Sequence, residues 1–346
     1  MSALEHPSNT VVTGAAGWFG QNLVRALAAQ PQRERIRCLV ATEQEAARLF
    51  VVDGRIETIV GDVRDPAVID DLFAGMTGAS VFHAAAVIHP RKAVREFFDV
   101  NVGGTQMVLD RARRSGAARF VHLSSNSPFG ANASSLDVFD EDSPFNPYMG
   151  YGRSKLEAEQ IVQRSMERGD VPTVILRPPW FYGPFQPERQ TTFFASVRKG
   201  RFPMIAPGTQ RRSMVYTGNL VQGALLAETC EAAVGHAYWI ADAEPYELQE
   251  VLATVRDALK AEGLEVAHRR PLKIPRVVGV FAEKVDGVLQ GAGRYVQAVH
   301  VLGELKDTIA CDISRARKEL GYEPQVSLLE GMRNSVRFCL EQGWQL

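Results

Sequence analysis

Short apolar runs rich in β-branched residues alternate with amphipathic segments through the first half of the chain. The runs predict strands at Thr10–Thr13, Ile36–Val40, Glu57–Val60, Ser80–Ala84, Arg119–Ser124 and Thr173–Arg177. The segments between them predict helices at Gln21–Ala29, Gln44–Phe50, Ala67–Phe73, Val100–Ser115 and Ser154–Arg168. Strands buried on both faces and separated by helices form a parallel, doubly wound sheet. Right-handed crossovers then bring the carboxyl ends of the strands to one edge, where ligands bind.

After Arg177 the alternation becomes less regular. The segment Arg177-Pro178-Pro179-Trp180-Phe181-Tyr182-Gly183-Pro184 is aromatic and proline-rich, which is typical of an irregular exit from a strand. We therefore expect an α/β protein in which residues 1–178 form the sheet domain. Residues 179–346 are expected to build mainly a smaller α+β lobe over the ligand edge, with some segments returning to the first domain.

Composition excludes several classes of protein. The 346 residues are 45% hydrophobic and 23% charged with a net charge of -1, which is ordinary for a globular protein and unlike a nucleic-acid binder. The four cysteines are far apart, at Cys38, Cys230, Cys311 and Cys339. We expect no metal site and no disulfide, and a reducing compartment.

Targeting and membrane signals are weak. The polar stretch Met1–Asn9 is unlike a signal peptide, and the apolar stretch Val277–Leu289 is interrupted by Glu283, Lys284 and Asp286. The expectation is a cytoplasmic protein without a membrane span.

A glycine turn follows the first predicted strand and opens a helix. In Thr13-Gly14-Ala15-Ala16-Gly17-Trp18-Phe19-Gly20 the glycines have the spacing Gly-x-x-Gly-x-x-Gly. Gly14 can make the tight turn, Gly17 can let backbone approach a pyrophosphate, and Gly20 can let helix pack on strand. The helix N-terminus then offers free N–H groups to phosphates. A plain glycine-rich turn is the alternative, but the position after the first strand of an α/β chain favours a dinucleotide.

The choice between NAD and NADP stays open at this stage. The second strand ends in Ala41, without the carboxylate that usually binds the ribose hydroxyls, and no arginine stands there for a 2′-phosphate. Glu43 or Thr42 could serve the ribose, and Arg48 could reach a phosphate. After the third strand, Asp62 could accept from the adenine amino group or cap the next helix, or Asp65 could be the cap. We expect NAD in preference to NADP.

Tyr151 and Lys155 are four residues apart and would face the same way on a helix. An ammonium group near a phenol lowers the pKa of the phenol, which can then exchange a proton with an alcohol or carbonyl beside a nicotinamide. A helix surface that happens to carry both residues is the alternative.

Two further polar residues belong to this prediction. Ser125 ends the fifth strand at the ligand edge, where its hydroxyl could bind the reacting oxygen, whereas Ser124 should still lie in the strand. The alternative is that Ser125 belongs to a structural turn rich in serine and asparagine. Asn101 lies within a helical stretch, where asparagine is locally unfavourable, so we expect either a proton relay near Lys155 or a hydrogen bond in the core.

Taken together, these residues resemble the extended short-chain dehydrogenase/reductase superfamily, the NAD-dependent epimerase/dehydratases, over nearly the whole chain. The motifs that carry the resemblance are Thr13–Gly20, Gly61-Asp62, His83–Ala86, Asn101, Ser124-Ser125, Tyr151 with Lys155, Arg177-Pro178 and Asp312–Pro324.

The resemblance implies a Rossmann domain that holds NAD(P) and a C-terminal lobe that shapes the substrate pocket. It implies a catalytic set of Ser125, Tyr151, Lys155 and Asn101, and a nicotinamide side lined by His83–Ala86. The residues it implies for the cofactor are Gly14, Gly17, Trp18, Phe19, Gly20, Asp62, Val63, Ala84, Ala85, Ala86, Tyr151, Lys155 and Pro178. It also implies a homodimer through helices near Val100–Ser115 and Ser154–Arg168.

The substrate is less determined. Gly208–Tyr216 resembles the segment of nucleotide-sugar epimerases that brings an arginine, here Arg212, to the diphosphate, but Gly303–Lys306 lacks the second arginine. Tyr216–Ala224 and Ile274–Val301 look more like 3β-hydroxysteroid dehydrogenases. An aromatic group could line an apolar substrate site or simply pack the lobe: Trp180, Phe181, Tyr182, Phe185, Phe193 and Phe194.

The predicted function is therefore an NAD(P)-dependent oxidoreductase that interconverts a secondary alcohol and a ketone on a cyclic or largely apolar small molecule. The predicted substrate contacts are Ser125, Asn126, Trp180 and Arg212. The alternative is a nucleotide-sugar epimerase or dehydratase with tightly bound NAD. A third hypothesis, a cofactor-binding regulator, does not account for a phenol paired with an amine.

Overall fold

The computed structural model describes residues 7–90, 93–268 and 272–346. The strands in chain order are β1 (Asn9–Thr13), β2 (Arg35–Val40), β3 (Ile56–Val60), β4 (Ser80–His83), β5 (Arg119–Leu123), β6 (Thr173–Arg177), β7 (Trp180–Tyr182), β8 (Pro203–Ile205), β9 (Arg211–Arg212), β10 (Met214–Tyr216), β11 (His236–Trp239), β12 (Tyr246–Glu247) and β13 (Leu272–Ile274).

The helices are α1 (Trp18–Ala28), α2 (Glu43–Phe50), α3 (Pro66–Phe73), α4 (Arg95–Phe98), α5 (Thr105–Arg114), α6 (Met149–Arg168), α7 (Thr191–Arg198), α8 (Thr217–Thr229), α9 (Leu248–Ala261), α10 (Arg276–Gly291), α11 (Gln297–Glu304), α12 (Ser314–Leu320) and α13 (Leu328–Glu341). A π-helical stretch, Asp99–Gly104, joins α4 to α5, and 3-10 turns lie at Glu188–Gln190 and Glu231–Ala233.

Seven parallel strands form the central sheet, in the order β11-β6-β5-β4-β1-β2-β3. After β3 the chain returns to the other side of β1, so the strand order reverses between β1 and β4, which is where ligands bind in such sheets. The predicted doubly wound parallel sheet is confirmed. The outermost strand, β11, comes from the second half of the chain.

Burial explains why the first half folds this way. Every residue of β6 is buried, and so are four of the five residues of β1, as expected for strands covered by helices on both faces. Leu23, Val24 and Leu27 form the buried stripe of α1, with the spacing of an amphipathic helix.

The second half adds a smaller lobe in which α7, α9 and α13 pack together. Its core consists of apolar side chains that recur at helical spacing: Leu248, Val251, Leu252, Val255, Leu259, Met332 and Val336. Short two-stranded sheets also form within the second half of the chain, β7 with β10, β8 with β13 and β9 with β12. In the parts of the chain that the structure describes, no helix is both long and apolar enough to cross a membrane.

Several predicted boundaries were wrong, and three of them concern segments beside the cleft. α6 begins at Met149 rather than at Ser154, and the helical stretch predicted from Val100 already begins at Arg95. β5 ends at Leu123, so Ser124 follows the strand, although its N–H still donates to a carbonyl of the neighbouring β6 at 2.7 Å.

Candidate active site

A long cleft of about 1280 Å³ follows the carboxyl edge of the sheet. Ligand pockets for one small molecule usually occupy roughly 300–1,000 Å³, so this cleft has room for more than one small ligand. Among the predicted residues, these line it: Gly14, Gly17, Trp18, Phe19, Gly20, Asp62, Val63, Ala84, Ala85, Ala86, Ser125, Tyr151, Lys155 and Pro178.

The glycine turn forms one wall of the cleft. Gly14 has a φ of +67°, and a Cβ there would approach the backbone of Ala84 to 2.7 Å, so only glycine fits. A Cβ at Gly20 would meet the Gly14 carbonyl oxygen at 2.1 Å. Gly17 is exposed and caps α1 without a side chain. The N-terminus of α1 therefore faces the cleft with room for a phosphate group.

The end of the cleft near β2 and β3 holds charged groups. Asp62 is half exposed and accepts hydrogen bonds from the Arg64 backbone N–H and side-chain Nε, both at 2.9 Å. Asp65, not Asp62, caps α3 by accepting from the Ala67 N–H at 2.9 Å. Asp62 is therefore free of a helix-capping role.

Glu45 was missed by sequence reasoning at this end. Its carboxylate accepts from the Ala41 N–H at 2.7 Å, and Ala41, Glu45 and Arg48 all line the cleft. Thr42 instead caps α2 by accepting from the Glu45 N–H at 3.3 Å. The signal was available, because Glu45 lies in the first turn of the helix that follows the ligand end of β2.

Tyr151 lies at the opposite end, close to Ser125. Burial raises the pKa of Tyr151 to about 12, and hydrogen bonding with Ser125 offsets part of this shift. Ser125 is itself buried, and its hydroxyl accepts from the Ser127 N–H at 3.2 Å and donates to the Asn126 side chain at 3.4 Å. The phenol is therefore protonated at neutral pH and placed to donate.

Lys155 is buried below Tyr151. Its ammonium donates to the Leu123 carbonyl at 2.7 Å. Burial lowers the pKa of Lys155 to about 8, and the carboxylate of Glu159, one turn further along α6, acts against this shift. The expectation that Lys155 brings the Tyr151 pKa below its usual value does not hold in this structure, because the burial of Tyr151 outweighs the other influences on it.

Glu159 is held by a buried network that sequence reasoning did not identify. It forms an ion pair with Arg177 at 2.7 Å, with both side chains almost fully buried, and it accepts from the Ser124 hydroxyl. The network joins α6 to the ends of β5 and β6. It thereby fixes the segment that carries Ser125 relative to the helix that carries Tyr151.

Asn101 is buried behind the cleft wall and does not line it. Its side-chain amide spans both backbone groups of Val87, at 2.7 Å and 3.1 Å, and donates to Ser154 Oγ at 2.9 Å. Ser154 in turn donates to the Tyr151 carbonyl at 2.8 Å. These contacts favour the core hydrogen-bonding interpretation of Asn101 over a proton relay.

One of the four residues predicted to line the nicotinamide side does not reach the cleft. Ala84, Ala85 and Ala86 line the cleft, but His83 lies beneath them, hydrogen-bonded to Thr13 at 2.8 Å and Thr105 at 2.9 Å. Burial lowers the pKa of His83 to about 3, so it is neutral.

Three predicted substrate contacts lie outside the cleft lining. Asn126 adjoins the cleft through contacts with two lining residues, the side chain of Ser125 and the carbonyl of Pro178. Trp180 packs edge-on against Phe193 in the core of the smaller lobe. Arg212 donates to the Glu304 carbonyl, within the segment where the second arginine of a diphosphate clamp was missing.

The aromatic group divides between the two interpretations. Phe181 and Phe185 line the cleft, whereas Tyr182 and Phe194 are buried in the core of the smaller lobe. Core packing therefore accounts for much of this group.

A histidine and a tyrosine at the Tyr151 end were also missed. His89 lines the cleft, and its Nδ1 lies 2.8 Å from the Tyr295 hydroxyl. The Tyr295 ring contacts Phe97, which packs against Tyr151. His89 follows β4 closely and could have been identified, but Tyr295 is 206 residues away along the chain and no local pattern indicates it.

The donor set fits a dinucleotide. The glycine cradle and the open end of α1 suit a pyrophosphate, and the cleft continues in both directions from it. At one end stand carboxylates suited to ribose and adenine, and at the other a protonated phenol, a serine hydroxyl and a buried ammonium. The second set can donate a proton to a carbonyl oxygen or, in reverse, remove one from an alcohol.

Comparison with known proteins agrees with this geometry. The model of the NAD dependent epimerase/dehydratase family matches residues 10–241. The protein y4nL of Sinorhizobium fredii, itself uncharacterized, is 42% identical over 342 residues, which cover 96% of this chain and 95% of that one.

Several other relatives have named activities. A 4-hydroxy-2-methyl-3-oxo-4-farnesyl-3,4-dihydroquinoline-1-oxide ketoreductase of Stigmatella aurantiaca is 29% identical, covering 93% of this chain and 94% of its own. A 3 beta-hydroxysteroid dehydrogenase/Delta 5-->4-isomerase of Mycobacterium tuberculosis is 28% identical, covering 94% and 93%.

Among solved structures, a dTDP-glucose 4,6-dehydratase of Streptomyces venezuelae with NAD and TYD bound superposes with a TM-score of 0.75. It covers 97% of this chain and 98% of its own at 24% identity. A structural similarity at 24% sequence identity is evidence for a shared fold alone.

Proposed function

Because the chain belongs to the NAD dependent epimerase/dehydratase family, we propose that it is an oxidoreductase that interconverts a secondary alcohol and a ketone on a cyclic, largely apolar small molecule. The observation that carries this proposal is Tyr151 beside Ser125 at one end of a cleft whose centre is a phosphate cradle. The ketoreductase of Stigmatella and the hydroxysteroid dehydrogenase of Mycobacterium support the substrate class, since both are named for such chemistry.

The residues of the cleft would each have a separate role in this reaction. NAD, held along the glycine turn and Ala84–Ala86, would supply the two-electron redox chemistry. In the reducing direction Tyr151 donates its proton to the carbonyl oxygen, because its raised pKa keeps the phenol protonated at neutral pH. Ser125 would orient that oxygen, and the Lys155 ammonium, one helical turn along α6, would stabilise the negative charge that develops on the phenol oxygen.

The position of Arg212 argues against a nucleotide sugar. The cation predicted to bind the diphosphate of such a substrate, Arg212, donates to the Glu304 carbonyl and does not line the cleft, whose lining does include Arg25 and Arg189. Phe181, Phe185 and Pro179 line the cleft and suit an apolar substrate.

We further propose that NAD is preferred to NADP, because the Glu45 carboxylate would accept from a ribose hydroxyl and repel a 2′-phosphate. Residues 1–178 would bind the cofactor, and residues 179–346 would mainly shape the substrate end. We also retain a homodimer as a proposal.

The test is a turnover assay with NADH or NADPH and a panel of cyclic ketones, with UDP-sugars in parallel. Tyr151→Phe is expected to bind NAD nearly as wild type and to lose at least about a hundredfold in kcat, the usual share of general acid catalysis. Phe97→Leu, which alters a ring packed on Tyr151 and leaves the phenol, is the matched control. Conversion of a UDP-sugar without net change in NADH would reject the proposal in favour of the epimerase class.

A further inference from the structure

The surface helix α10 exposes large apolar side chains to solvent and buries a carboxylate on its inner side. Its buried residues include Asp286, whereas Val277, Phe281 and Val288 are 68%, 67% and 74% exposed. Residues spaced by four and seven lie on one side of a helix, so the three exposed side chains form a stripe. A surface helix normally turns its apolar stripe inward, and a reversed stripe marks an interaction site.

The exposed charged side chains of α10 are basic. We call Val277, Val280, Phe281, Lys284 and Val288 the α10 outer face. Lys284 is exposed at its centre, and the exposed Arg276 and Lys273 stand at its N-terminal end.

The acidic residues of α10, a helix that the structure describes completely, are engaged elsewhere. Glu283 pairs with Lys306 at 2.9 Å, and Asp286 is buried against His300 at 2.7 Å. The α10 outer face therefore combines apolar side chains with positive charge alone.

We propose that the α10 outer face binds the surface of a lipid bilayer that contains anionic lipids. Helices that lie in a membrane interface bury an apolar face at the boundary of headgroups and acyl chains, and basic side chains contribute through the negative surface potential. Here Val277, Phe281 and Val288 would enter that boundary, with Lys284 and Arg276 reaching the lipid phosphates.

A second copy of the chain fits this face less well. In a twofold dimer the same patch meets itself, so the residue at its centre lies near its own copy. That residue is Lys284, and two ammonium groups would be brought together without a carboxylate on the face to separate them. The dimer implied by the family resemblance uses other helices, near Val100–Ser115 and Ser154–Arg168.

The inner side of the same helix contacts the start of α6, next to Tyr151. Gln290 accepts from the Gly150 N–H at 3.0 Å, and Tyr295, just beyond α10, contacts His89 in the cleft wall. A bilayer on the outer face would hold the substrate end of the cleft close to lipid, from which an apolar substrate could be taken up. This use rests on the proposed function, whereas bilayer binding rests on α10 alone.

Vesicle cosedimentation of the full-length protein tests the proposal. Vesicles of phosphatidylcholine with phosphatidylglycerol are compared with phosphatidylcholine alone, at low and high salt. We expect the wild type to pellet with the anionic vesicles and to be released by salt. Lys284→Glu should lower the partition coefficient at least about fivefold, the effect of one basic residue near the surface. Replacing Val277, Phe281 and Val288 together by serine should abolish binding.

The control is Leu136→Ser, which removes an apolar side chain that is 83% exposed on a loop and should pellet as the wild type does. A retained thermal shift with NAD shows that each variant is folded. A wild type that stays in the supernatant with both vesicles, or a triple variant that still pellets, overturns the proposal. So does a wild-type dimer that the triple variant dissociates in light scattering. Loss of the proposed function would appear differently, as absent ketone turnover with intact vesicle binding.

Discussion

Burial moves the pKa values of Tyr151 and Lys155 in opposite directions, since it disfavours the charged form of each group. The phenol stays protonated up to a pH of about 12, and the ammonium loses its proton near pH 8. The two groups are therefore both in the proton-bearing form below pH 8. That is the state required for reduction of a carbonyl with Tyr151 as the acid.

We expect kcat/KM for ketone reduction to be level below pH 8 and to fall above it, as Lys155 loses its charge while Tyr151 remains protonated. A pH profile of kcat/KM reports the free enzyme and is the measurement to make. Lys155→Arg should reduce kcat/KM at low pH but remove its decrease near pH 8, because a guanidinium stays charged throughout. A break that persists unchanged in Lys155→Arg would assign it to another group.

A second prediction for a single residue concerns Glu45 and the choice between NAD and NADP. Its carboxylate lies on the cleft wall beside Arg48, so removal of its charge should relieve the repulsion of a 2′-phosphate while leaving the arginine in place. We expect Glu45→Gln to shift the ratio of kcat/KM for NADH over NADPH by roughly tenfold towards NADPH, the effect of about 1.4 kcal/mol.

Arg48→Gln is the matched control and should lower the use of NADPH only. An unchanged ratio in Glu45→Gln would mean that the ribose end is bound by other groups.

At the scale of elements, the start of α6 depends on a distant residue. The helix has no side-chain cap of its own, and the Gly150 N–H in its first turn is instead satisfied by Gln290 of α10, at 3.0 Å. Gln290 is held in turn by both oxygens of Asp286, at 3.1 Å and 3.0 Å. The residue after Gly150 is Tyr151, so this contact positions the end of the helix that carries the proposed acid.

Gln290→Ala should therefore lower the free energy of unfolding by about 1 kcal/mol, as loss of a helix cap does, and lower kcat more than the affinity for NAD. Urea unfolding, NAD titration and turnover separate the three effects. Gln297→Ala, an exposed glutamine on α11, should change none of them. A variant with reduced stability but wild-type kcat would show that Gln290 only supports the fold.

The same contact explains what the sequence could and could not reveal. The parallel sheet and the glycine turn were predictable, because burial and phosphate binding impose patterns on neighbouring residues. The start of α6 was placed five residues late, since Tyr148-Met149-Gly150-Tyr151-Gly152 has low helix propensity and its stabilising partner is 140 residues away. The contacts of Arg212 and Trp180 were not predictable for the same reason, because their partners Glu304 and Phe193 are brought to them by the smaller lobe.

At the scale of the whole molecule, the two halves of the chain are interlocked. β11 completes the sheet beside β6, and α8 packs against α1. A buried ion pair reinforces this packing: Arg33 donates to Glu228 at 2.7 Å and to the Thr10 hydroxyl at 2.7 Å, with both charged side chains fully buried. Glu228 stands near the end of α8, so the pair joins the first strand of the sheet to the second half of the chain.

Neutralising one member of this pair should be costly. Glu228→Gln removes the carboxylate charge that faces the buried Arg33 guanidinium, and breaking a buried pair in this way typically costs about 3–5 kcal/mol. Because the pair spans both halves, we expect one transition shifted to lower urea concentration rather than the separate unfolding of either half, followed by circular dichroism and by tryptophan fluorescence. Asp99→Asn is the control. The Asp99 carboxylate lies 3.5 Å from the guanidinium of Arg95, whose side chain is 86% exposed, and loss of such a surface pair costs no more than about 1 kcal/mol. Equal effects of the two substitutions would mean that this pair does not hold the cleft between the proposed cofactor and substrate residues. Two separate transitions in Glu228→Gln would mean that the halves fold independently.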